Sequence, residues 1–310
     1  MTKLASSRLR ADGKASFDAI YDEPTPAAYF SALRPLEYTT PGCAQPLVRR
    51  CVEALRRRLK LETVTVLDLC AGYGVNAALL RHRLTLPDLY RRFATPRARA
   101  AGAKRIIADT MWFLCRRRRD AGVRMVAQDI AGHALDYSQA VGLADAVIQV
   151  NLEAYDPAPE QAALLRDTNL IVVTGGLSYI GERTFRRVLR EVQCKPWALY
   201  YPLRHTDTDA IDRTFERSDY AVETGRHTIA HRRYRSANER RAIRTRILAQ
   251  AAAGEARPSP TYLEAWIKLA RPEDELLCPP FDEIVATDPD RAAAGESSHA
   301  DLSATDAAWG

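Results

Sequence analysis

Hydrophobic and polar positions alternate along the chain in blocks that predict strands separated by helices. Short runs such as TVTVLDL and NLIVVTGG are apolar at nearly every position and rich in β-branched residues. Uninterrupted runs of this kind are typical of parallel strands that are buried on both faces of a sheet. The pattern predicts strands at 63–69, 123–129, 144–151, 169–176, 196–203, 220–226 and 262–270.

One helical segment precedes the first strand, and others fill intervals between the strands. They are predicted at 47–60, 75–84, 132–142, 159–166, 182–192, 207–217 and 236–252. Regular strand–helix alternation predicts an α/β fold with a doubly wound, seven-stranded, mostly parallel sheet and helices on both faces. In such sheets ligands bind beyond the carboxyl ends of the strands, where the strand order reverses.

Three regions depart from the alternation. Residues 1–60 are rich in proline and aromatic residues between 21 and 46 and predict an N-terminal helical segment. Within the α/β domain at 61–285, residues 85–122 form an insertion with expected helices near 88–93 and 105–119. Residues 286–310 are rich in Asp, Ala and Ser, and we expect a disordered tail.

Composition and hydropathy narrow the class of protein. The 310 residues are 46% hydrophobic and 27% charged, with a mean hydropathy of −0.30, which is typical of globular chains. No apolar run is long enough for a transmembrane helix, and the first residues lack the apolar block of a signal peptide. We therefore expect a cytoplasmic protein without a membrane partner. The six Cys and six His are scattered without zinc-site spacing, so no metal is predicted.

Basic residues exceed acidic ones by 45 to 39, and only six of the basic residues are lysines. Basic runs at 56–58, 116–119 and 231–235 fit either a nucleic-acid footprint or solvated helix faces. Acidic residues are interspersed, and aromatic residues do not alternate with the runs, which favours solvated helix faces. No nucleic-acid partner is predicted.

The stretch VLDLCAGYG carries the clearest chemical signal. Asp68 closes a buried strand, and Gly72 and Gly74 follow in the turn, where a ligand can approach bare backbone. Gly72 and Gly74, with Ala77, formally match the dinucleotide fingerprint, but the acid that fingerprint needs about 20 residues on is missing. The next strand ends only at Asp129. The negative charge of Asp68 would also repel a pyrophosphate, so the motif favours a cationic or amine-bearing ligand.

VLDLCAGYGVNAALL resembles motif I of class I S-adenosylmethionine-dependent methyltransferases. Cys70 stands where the first glycine of that motif usually lies. The resemblance extends over about residues 60–270 and implies a Rossmann-like methyltransferase fold whose sixth and seventh strands pair antiparallel. It also implies S-adenosylmethionine as the cofactor.

The resemblance assigns expected roles to particular positions. Asp68, Gly72 and Gly74 would face the aminoacyl part of the cofactor, and Asp129 would accept hydrogen bonds from the ribose hydroxyls. Asp129 is equally suited to capping the helix predicted at 132–142. Asn151 and Leu152, after the third strand, would border the adenine or the reaction centre, although Asn is also a common turn former at a strand end.

Aromatic residues are expected on the reacting side of the site. TGGLSY at 174–179 occupies the place where the family puts acceptor-side residues, and Tyr179 lies in it. Tyr21 and Tyr29 belong to an N-terminal segment that, in this family, often folds as a lid over the cofactor, where aromatic faces would attract the sulfonium. Packing of these rings onto the sheet is the simpler alternative.

Two functions follow from the resemblance. The first is methyl transfer to a small-molecule acceptor in secondary metabolism. The second rests on the proline- and aromatic-rich start, the insertion, Asn151 and Tyr179, which together also resemble azetidine-2-carboxylate synthases. Those enzymes cyclise S-adenosylmethionine by attack of its α-amine on its γ-carbon and release methylthioadenosine. Asn151 and Tyr179 are the candidate catalytic residues. His205 is the histidine best placed to act as a base, but we expect it on the surface.

The sequence gives no signal for the acceptor or for an oligomeric state. The acceptor pocket is expected to draw on the least patterned segments, 1–60, 85–122 and 236–260.

Overall fold

The computed structural model describes residues 18–21, 23–118, 122–250, 257–277 and 279–286. The predicted loose start before residue 18 and the predicted tail beyond residue 286 lie outside this range. The strands are β1 (Val64–Leu69), β2 (Val123–Asp129), β3 (Ala146–Gln149), β4 (Leu170–Val173), β5 (Trp197–Tyr200), β6 (Tyr220–Thr224), β7 (Ile229–Arg233), β8 (Tyr262–Ala265) and β9 (Lys268–Pro272).

Helices connect and flank these strands. They are α1 (Ala27–Leu33), α2 (Thr40–Leu59), α3 (Val75–Arg81), α4 (Leu86–Phe93), α5 (Ala103–Leu114), α6 (Gly132–Ala140), α7 (Pro159–Leu165), α8 (Glu182–Glu191), α9 (Asp209–Glu216), α10 (Ala237–Gln250) and α11 (Phe281–Val285). None of the described helices is both long and apolar enough to cross a lipid bilayer.

The main sheet has seven strands in the order β3-β2-β1-β4-β5-β9-β6. Strands β1 to β5 are parallel, and β9 runs antiparallel to both β5 and β6. The order reverses between β1 and β4, which creates a topological switch point at the carboxyl ends of these two strands. The predicted doubly wound, seven-stranded, mostly parallel sheet is confirmed.

The sheet is buried on both faces, which explains the uninterrupted apolar runs. Along β1, Val64 and Val66 pack into the core beneath α2 and α3, whereas Leu67 and Leu69 pack into the core beneath α8 and α9. Successive side chains of a strand point to opposite faces, so a strand covered on both sides needs apolar residues throughout.

The seventh predicted strand, at 262–270, is wrong as a single element. Its first half is β8, which pairs with β7 in a separate two-stranded sheet, and only its second half belongs to β9 in the main sheet. The break falls at Trp266 and Ile267, where the Trp266 N–H donates to the Pro202 carbonyl at 2.8 Å. Each half combines apolar residues with one charged residue, Glu264 in the first and Lys268 in the second, so the local pattern does not mark the change of partner.

The basic run at 231–235 is also not a solvated helix face. It belongs largely to β7, and Arg232 is only 1% exposed. Its guanidinium donates to both carboxylate oxygens of Glu239 in α10, at 2.7 and 3.0 Å. A buried arginine is tolerated because a bidentate carboxylate compensates its lost hydration.

His205 was expected on the surface and is buried instead, at 4% exposure. It follows β5 and does not belong to the cavity described below. This removes it as a base for chemistry in that cavity.

Candidate functional site

A cavity of about 380 Å³ opens at the carboxyl edge of the parallel strands, at the switch point between β1 and β4. Its walls are the turns after β1, β2, β3 and β4, together with residues from the N-terminal segment. This is the position that the sheet topology predicts for a ligand. The described residues contain no cluster of three or more side chains suited to binding a metal ion.

The turn after β1 adopts left-handed backbone at three positions. Cys70, Gly72 and Gly74 have φ angles of +56°, +51° and +76°. Gly74 lies outside the cavity wall, and a Cβ there would approach the Ser138 Oγ to 2.6 Å. Cys70 takes the place of a glycine in the resembled motif and keeps the glycine-like φ, which costs an L-residue about 1–2 kcal/mol. Cys70 therefore adopts a backbone conformation that a glycine adopts without this cost.

The Asp129 carboxylate lies half-buried in the cavity wall and accepts three backbone hydrogen bonds. Its Oδ2 accepts from the Gly72 N–H at 2.8 Å, and its Oδ1 accepts from the N–H groups of Ile130 and Ala131 at 2.7 and 3.0 Å. Burial raises the pKa of Asp129, and the three hydrogen bonds oppose that rise. A carboxylate offers about four lone-pair positions, so one remains for a hydroxyl group of a ligand. Both predicted roles, ribose contact and helix-start acceptor, are compatible with this geometry.

Asp68 lies beneath the cavity rather than in its wall. It is 1% exposed, and its Oδ1 accepts from the Asn76 Nδ2 at 2.8 Å. Asn76 does line the cavity, and its amide also donates to the Thr174 Oγ1 at 2.9 Å. Burial raises the pKa of Asp68 to about 7. Asn76 thus stands between this carboxyl group and any ligand, which the sequence motif does not reveal.

Five tyrosines line the cavity: Tyr21, Tyr29, Tyr38, Tyr73 and Tyr179. The Tyr21 ring centroid lies 5.6 Å from that of Tyr29 and 6.1 Å from that of Tyr73. The Tyr38 hydroxyl donates to the Thr174 carbonyl at 2.6 Å. Burial raises the pKa values of Tyr21, Tyr29 and Tyr38, so these phenols stay neutral. Their ring faces carry partial negative charge.

The segment after β3 contributes Asn151 and Leu152 to the cavity wall. Asn151 is exposed, and its Oδ1 accepts from the Glu153 N–H at 3.0 Å, which is the turn-forming contact that Asn commonly makes. Leu152 is buried at 1% exposure. Tyr179 is half-buried after β4, in a turn closed by its N–H and the Gly176 carbonyl at 2.7 Å.

The structure therefore brings seven of the nine predicted site residues to one cavity. They are Tyr21, Tyr29, Gly72, Asp129, Asn151, Leu152 and Tyr179. Sequence reasoning missed Tyr73 and Asn76, although both lie inside the quoted motif. Their position was the available signal, since Tyr73 lies in the turn after β1 and Asn76 lies in the first turn of α3.

The cavity wall carries negative charge and no positive charge among its lining side chains. None of its lining residues is a lysine, arginine or histidine, and its acidic member is Asp129. Together with the tyrosine faces this gives a negative local field, which favours a ligand with a cationic centre.

Comparisons with known proteins find likeness only among solved structures, since the chain matches no protein-family model and no curated protein. A precorrin-6y C5,15-methyltransferase from Geobacter metallireducens is 13% identical, over 72% of this chain and 85% of that chain, with a TM-score of 0.36. A TehB-like SAM-dependent methyltransferase from Corynebacterium glutamicum is 12% identical, over 71% and 87%, with a TM-score of 0.37.

The plantazolicin methyltransferase BpumL, solved with a triazolic desmethylPZN analog and SAH, is 10% identical over 81% of this chain and 88% of that chain, with a TM-score of 0.38. Identities and TM-scores of this size do not assign a family.

Proposed function

We propose that the cavity binds S-adenosylmethionine and that the protein transfers its methyl group to a small-molecule acceptor in secondary metabolism. The observation that carries the proposal is the tyrosine-lined, acid-bearing cavity at the switch point of a doubly wound sheet. A sulfonium is a permanent cation, and aromatic faces stabilise such groups without ion pairing.

The residues present fit this ligand. Asp129 has a remaining acceptor position for a ribose hydroxyl, and Leu152 and Ile130 offer apolar contact for an adenine ring. Gly72 has no side chain, and the Tyr21 ring packs directly over it, where an added Cβ would lie 2.8 Å from the Tyr21 Cε1. Tyr21, Tyr29 and Tyr38 supply aromatic surface in the same cavity wall.

Bound S-adenosylmethionine would supply a methyl group activated by its positive sulfur. The work left to the protein is alignment and exclusion of water, which is where most of the rate gain in such displacements arises. Tyr38, anchored on the Thr174 carbonyl, and Tyr29, at 6% exposure, are buried rings that can hold the ligand away from solvent.

The second candidate, cyclisation of S-adenosylmethionine to azetidine-2-carboxylate, is favoured by the size of the cavity. A volume of about 380 Å³ lies near the lower end of the range of about 300–1,000 Å³ for small-molecule pockets. Such a volume favours one nucleoside-sized ligand over a ligand and an acceptor together. Asn151 and Tyr179 are the residues that would contact the folded aminoacyl chain.

One incubation separates the two candidates. The purified protein is mixed with S-adenosylmethionine alone and with a set of small-molecule acceptors, and the products are identified by mass spectrometry. We expect S-adenosylhomocysteine only when an acceptor is present. Methylthioadenosine with azetidine-2-carboxylate, above the uncatalysed background, would establish cyclisation instead. Absence of all these products, with no S-adenosylmethionine binding by calorimetry, would refute both.

A matched pair of variants ties the activity to the cavity. Tyr179→Phe changes a lining residue, whereas Tyr155→Phe changes a nearby tyrosine that is 68% exposed and outside the lining. We expect Tyr179→Phe to lower turnover and Tyr155→Phe to leave it unchanged. Equal effects of the two substitutions on turnover would show that the Tyr179 hydroxyl has no part in the reaction.

A further inference from the structure

A second concave surface lies between α8 and α9, on the sheet face opposite α2. It encloses about 710 Å³, and four of its nine lining residues are arginines: Arg186 and Arg190 from α8, Arg213 from α9, and Arg217, which directly follows α9 and keeps helical backbone. We refer to this surface as the arginine groove. The lining also includes the hydroxyl-bearing residues Thr214 and Ser218.

The arginines form two pairs with the same spacing. In each helix the two arginines are four residues apart, so both lie on one side of the helix, one turn from each other. Beneath them, Phe185 in α8 and Phe215 in α9 are fully buried in the core. The burial of these rings fixes which side of each helix faces outward and therefore fixes the positions of the arginines.

Most of this positive charge is uncompensated within the described residues. Arg190 forms ion pairs with Asp156 at 3.3 Å and with Glu191 at 2.9 Å. Arg186, Arg213 and Arg217 form no ion pair with any described residue, and the acidic residue in the lining is Glu182. Like charges one turn apart on a helix repel, so an anionic partner would relieve an existing unfavourable interaction.

We propose that the arginine groove binds an acidic helical segment of a partner protein. A helix with Glu or Asp pairs four residues apart would present carboxylates at the same one-turn spacing as the two arginine pairs. Guanidinium groups bind carboxylates bidentately, and a helix lying between α8 and α9 would contact both arginine pairs. Grooves for single-stranded nucleic acid combine positive charge with aromatic stacking surfaces, and no aromatic residue lines this one.

The groove adjoins the cavity of the proposed active site. Ile180 belongs to the cavity wall, and Glu182, two residues later, begins α8 and lines the groove. A partner bound in the groove would therefore stand beside the cavity. The proposal itself does not depend on which ligand the cavity binds.

Fluorescence anisotropy with a labelled helical peptide tests the groove. The peptide carries Glu pairs four residues apart, and its matched partner has every Glu replaced by Gln. Arg213→Glu reverses one charge inside the groove, and Arg183→Glu makes the same change on an exposed α8 residue outside the lining. We expect the Glu peptide to bind the full-length protein, and Arg213→Glu to weaken that binding at least about tenfold. Arg183→Glu should change it little.

Three results would overturn the proposal. One is failure of the Glu peptide to bind better than the Gln peptide. Another is an equal loss of affinity for Arg213→Glu and Arg183→Glu, which would indicate general charge attraction. The third is tighter binding of a single-stranded oligonucleotide than of the Glu peptide, with the same dependence on Arg213, which would identify a nucleic-acid groove. The S-adenosylmethionine assays above report on the cavity separately.

Discussion

Two neighbouring turns at the carboxyl edge of the sheet are held in different ways. One is the turn after β1, residues 70–74. The other begins at the last residue of β2 and covers residues 129–131; we call it the β2 turn. The β1 turn depends on backbone conformation, with left-handed φ angles at Cys70, Gly72 and Gly74. The β2 turn depends on one carboxylate, because Asp129 accepts from the N–H groups of Ile130 and Ala131. The two turns are joined where Asp129 accepts from the Gly72 N–H.

This difference separates steric from electrostatic control of one cavity. The β1 turn sets the shape of the wall and tolerates little added volume. The β2 turn presents the acceptor group that a ligand would contact. Substitutions in the β1 turn should therefore act on stability, whereas substitution of Asp129 should act on ligand binding and also on stability, because three backbone N–H groups donate to its carboxylate.

The largest expected effect is steric. Gly176 packs on the β1 turn, and a Cβ added there would lie 2.5 Å from the Cys70 Cβ. We expect Gly176→Ala to lower the free energy of unfolding by about 3 kcal/mol, because a buried contact this short forces the backbone to shift. Chemical denaturation monitored by circular dichroism measures the change.

A second substitution, Cys70→Gly, removes the Cys70 Cβ and Sγ that the added Cβ would meet. Glycine also fits the φ of +56° at position 70. The Gly176→Ala, Cys70→Gly double variant should recover most of the lost stability. Gly181→Ala is the matched control, since a Cβ there meets no atom closer than 3.7 Å. Additive effects of Gly176→Ala and Cys70→Gly would show that the clash is not with Cys70.

Removal of the β2 carboxylate should act on ligand binding. We expect Asp129→Ala to weaken S-adenosylmethionine binding by about 1–3 kcal/mol, because the charge-assisted hydrogen bond to a ribose hydroxyl would be lost. Isothermal titration calorimetry measures the dissociation constant. The circular dichroism spectrum and unfolding midpoint show whether the fold is kept.

Asp129→Asn is the conservative comparison, since an amide retains one acceptor oxygen but no charge. The dissociation constant of Asp129→Asn for S-adenosylmethionine should lie between those of the wild type and Asp129→Ala. An unchanged dissociation constant for Asp129→Ala would refute the ribose contact.

The sequence predicted the parts of this edge that depend on local pattern. The apolar runs predicted β1 and β2, and the acid ending β2 predicted a polar group at the switch point, because strand ends of a parallel sheet converge there. The position of Asp68 was not predictable in the same way. Its distance from a ligand depends on Asn76, whose direction is set only when α3 packs against the sheet.

The errors elsewhere have the same origin. The run at 262–270 is largely apolar on both sides of the break, and its division between two sheets depends on which distant strands, β7 and β5, accept each half. The local sequence suggests that Arg232 is a surface charge, because its partner, Glu239 of α10, lies opposite it only in the folded chain. Long-range partners, rather than local propensity, decided both outcomes.

Asp68 allows a pH test of the β1 turn. Burial raises its pKa from 3.8 to about 7, so between these values the folded protein holds a proton that the unfolded chain has lost. This contribution to stability is present at low pH and is lost as the pH rises towards 7. Between about pH 5 and about pH 8 we expect the wild type to lose about 2–3 kcal/mol more stability than Asp68→Asn, which cannot ionise.

Urea denaturation of both proteins at the two pH values measures this difference. Parallel pH profiles for the wild type and Asp68→Asn would show that Asp68 keeps an ordinary pKa. In that case it would be ionised beneath the cavity and would contribute directly to its negative field.

The smallest expected effect concerns a hydrogen bond that belongs to neither turn. The Tyr38 hydroxyl donates to the Thr174 carbonyl at 2.6 Å and so ties the N-terminal segment to the end of β4. Tyr38→Phe keeps the ring and leaves that carbonyl without this donor, so we expect a loss of about 1 kcal/mol in unfolding free energy. Tyr155→Phe, at a residue that is 68% exposed, is the control and should be neutral. Binding of S-adenosylmethionine should change little in Tyr38→Phe, because the aromatic face remains. A large loss of affinity with unchanged stability would instead show that the hydroxyl group contacts the ligand, and the N-terminal segment would then share the electrostatic role assigned here to the β2 turn.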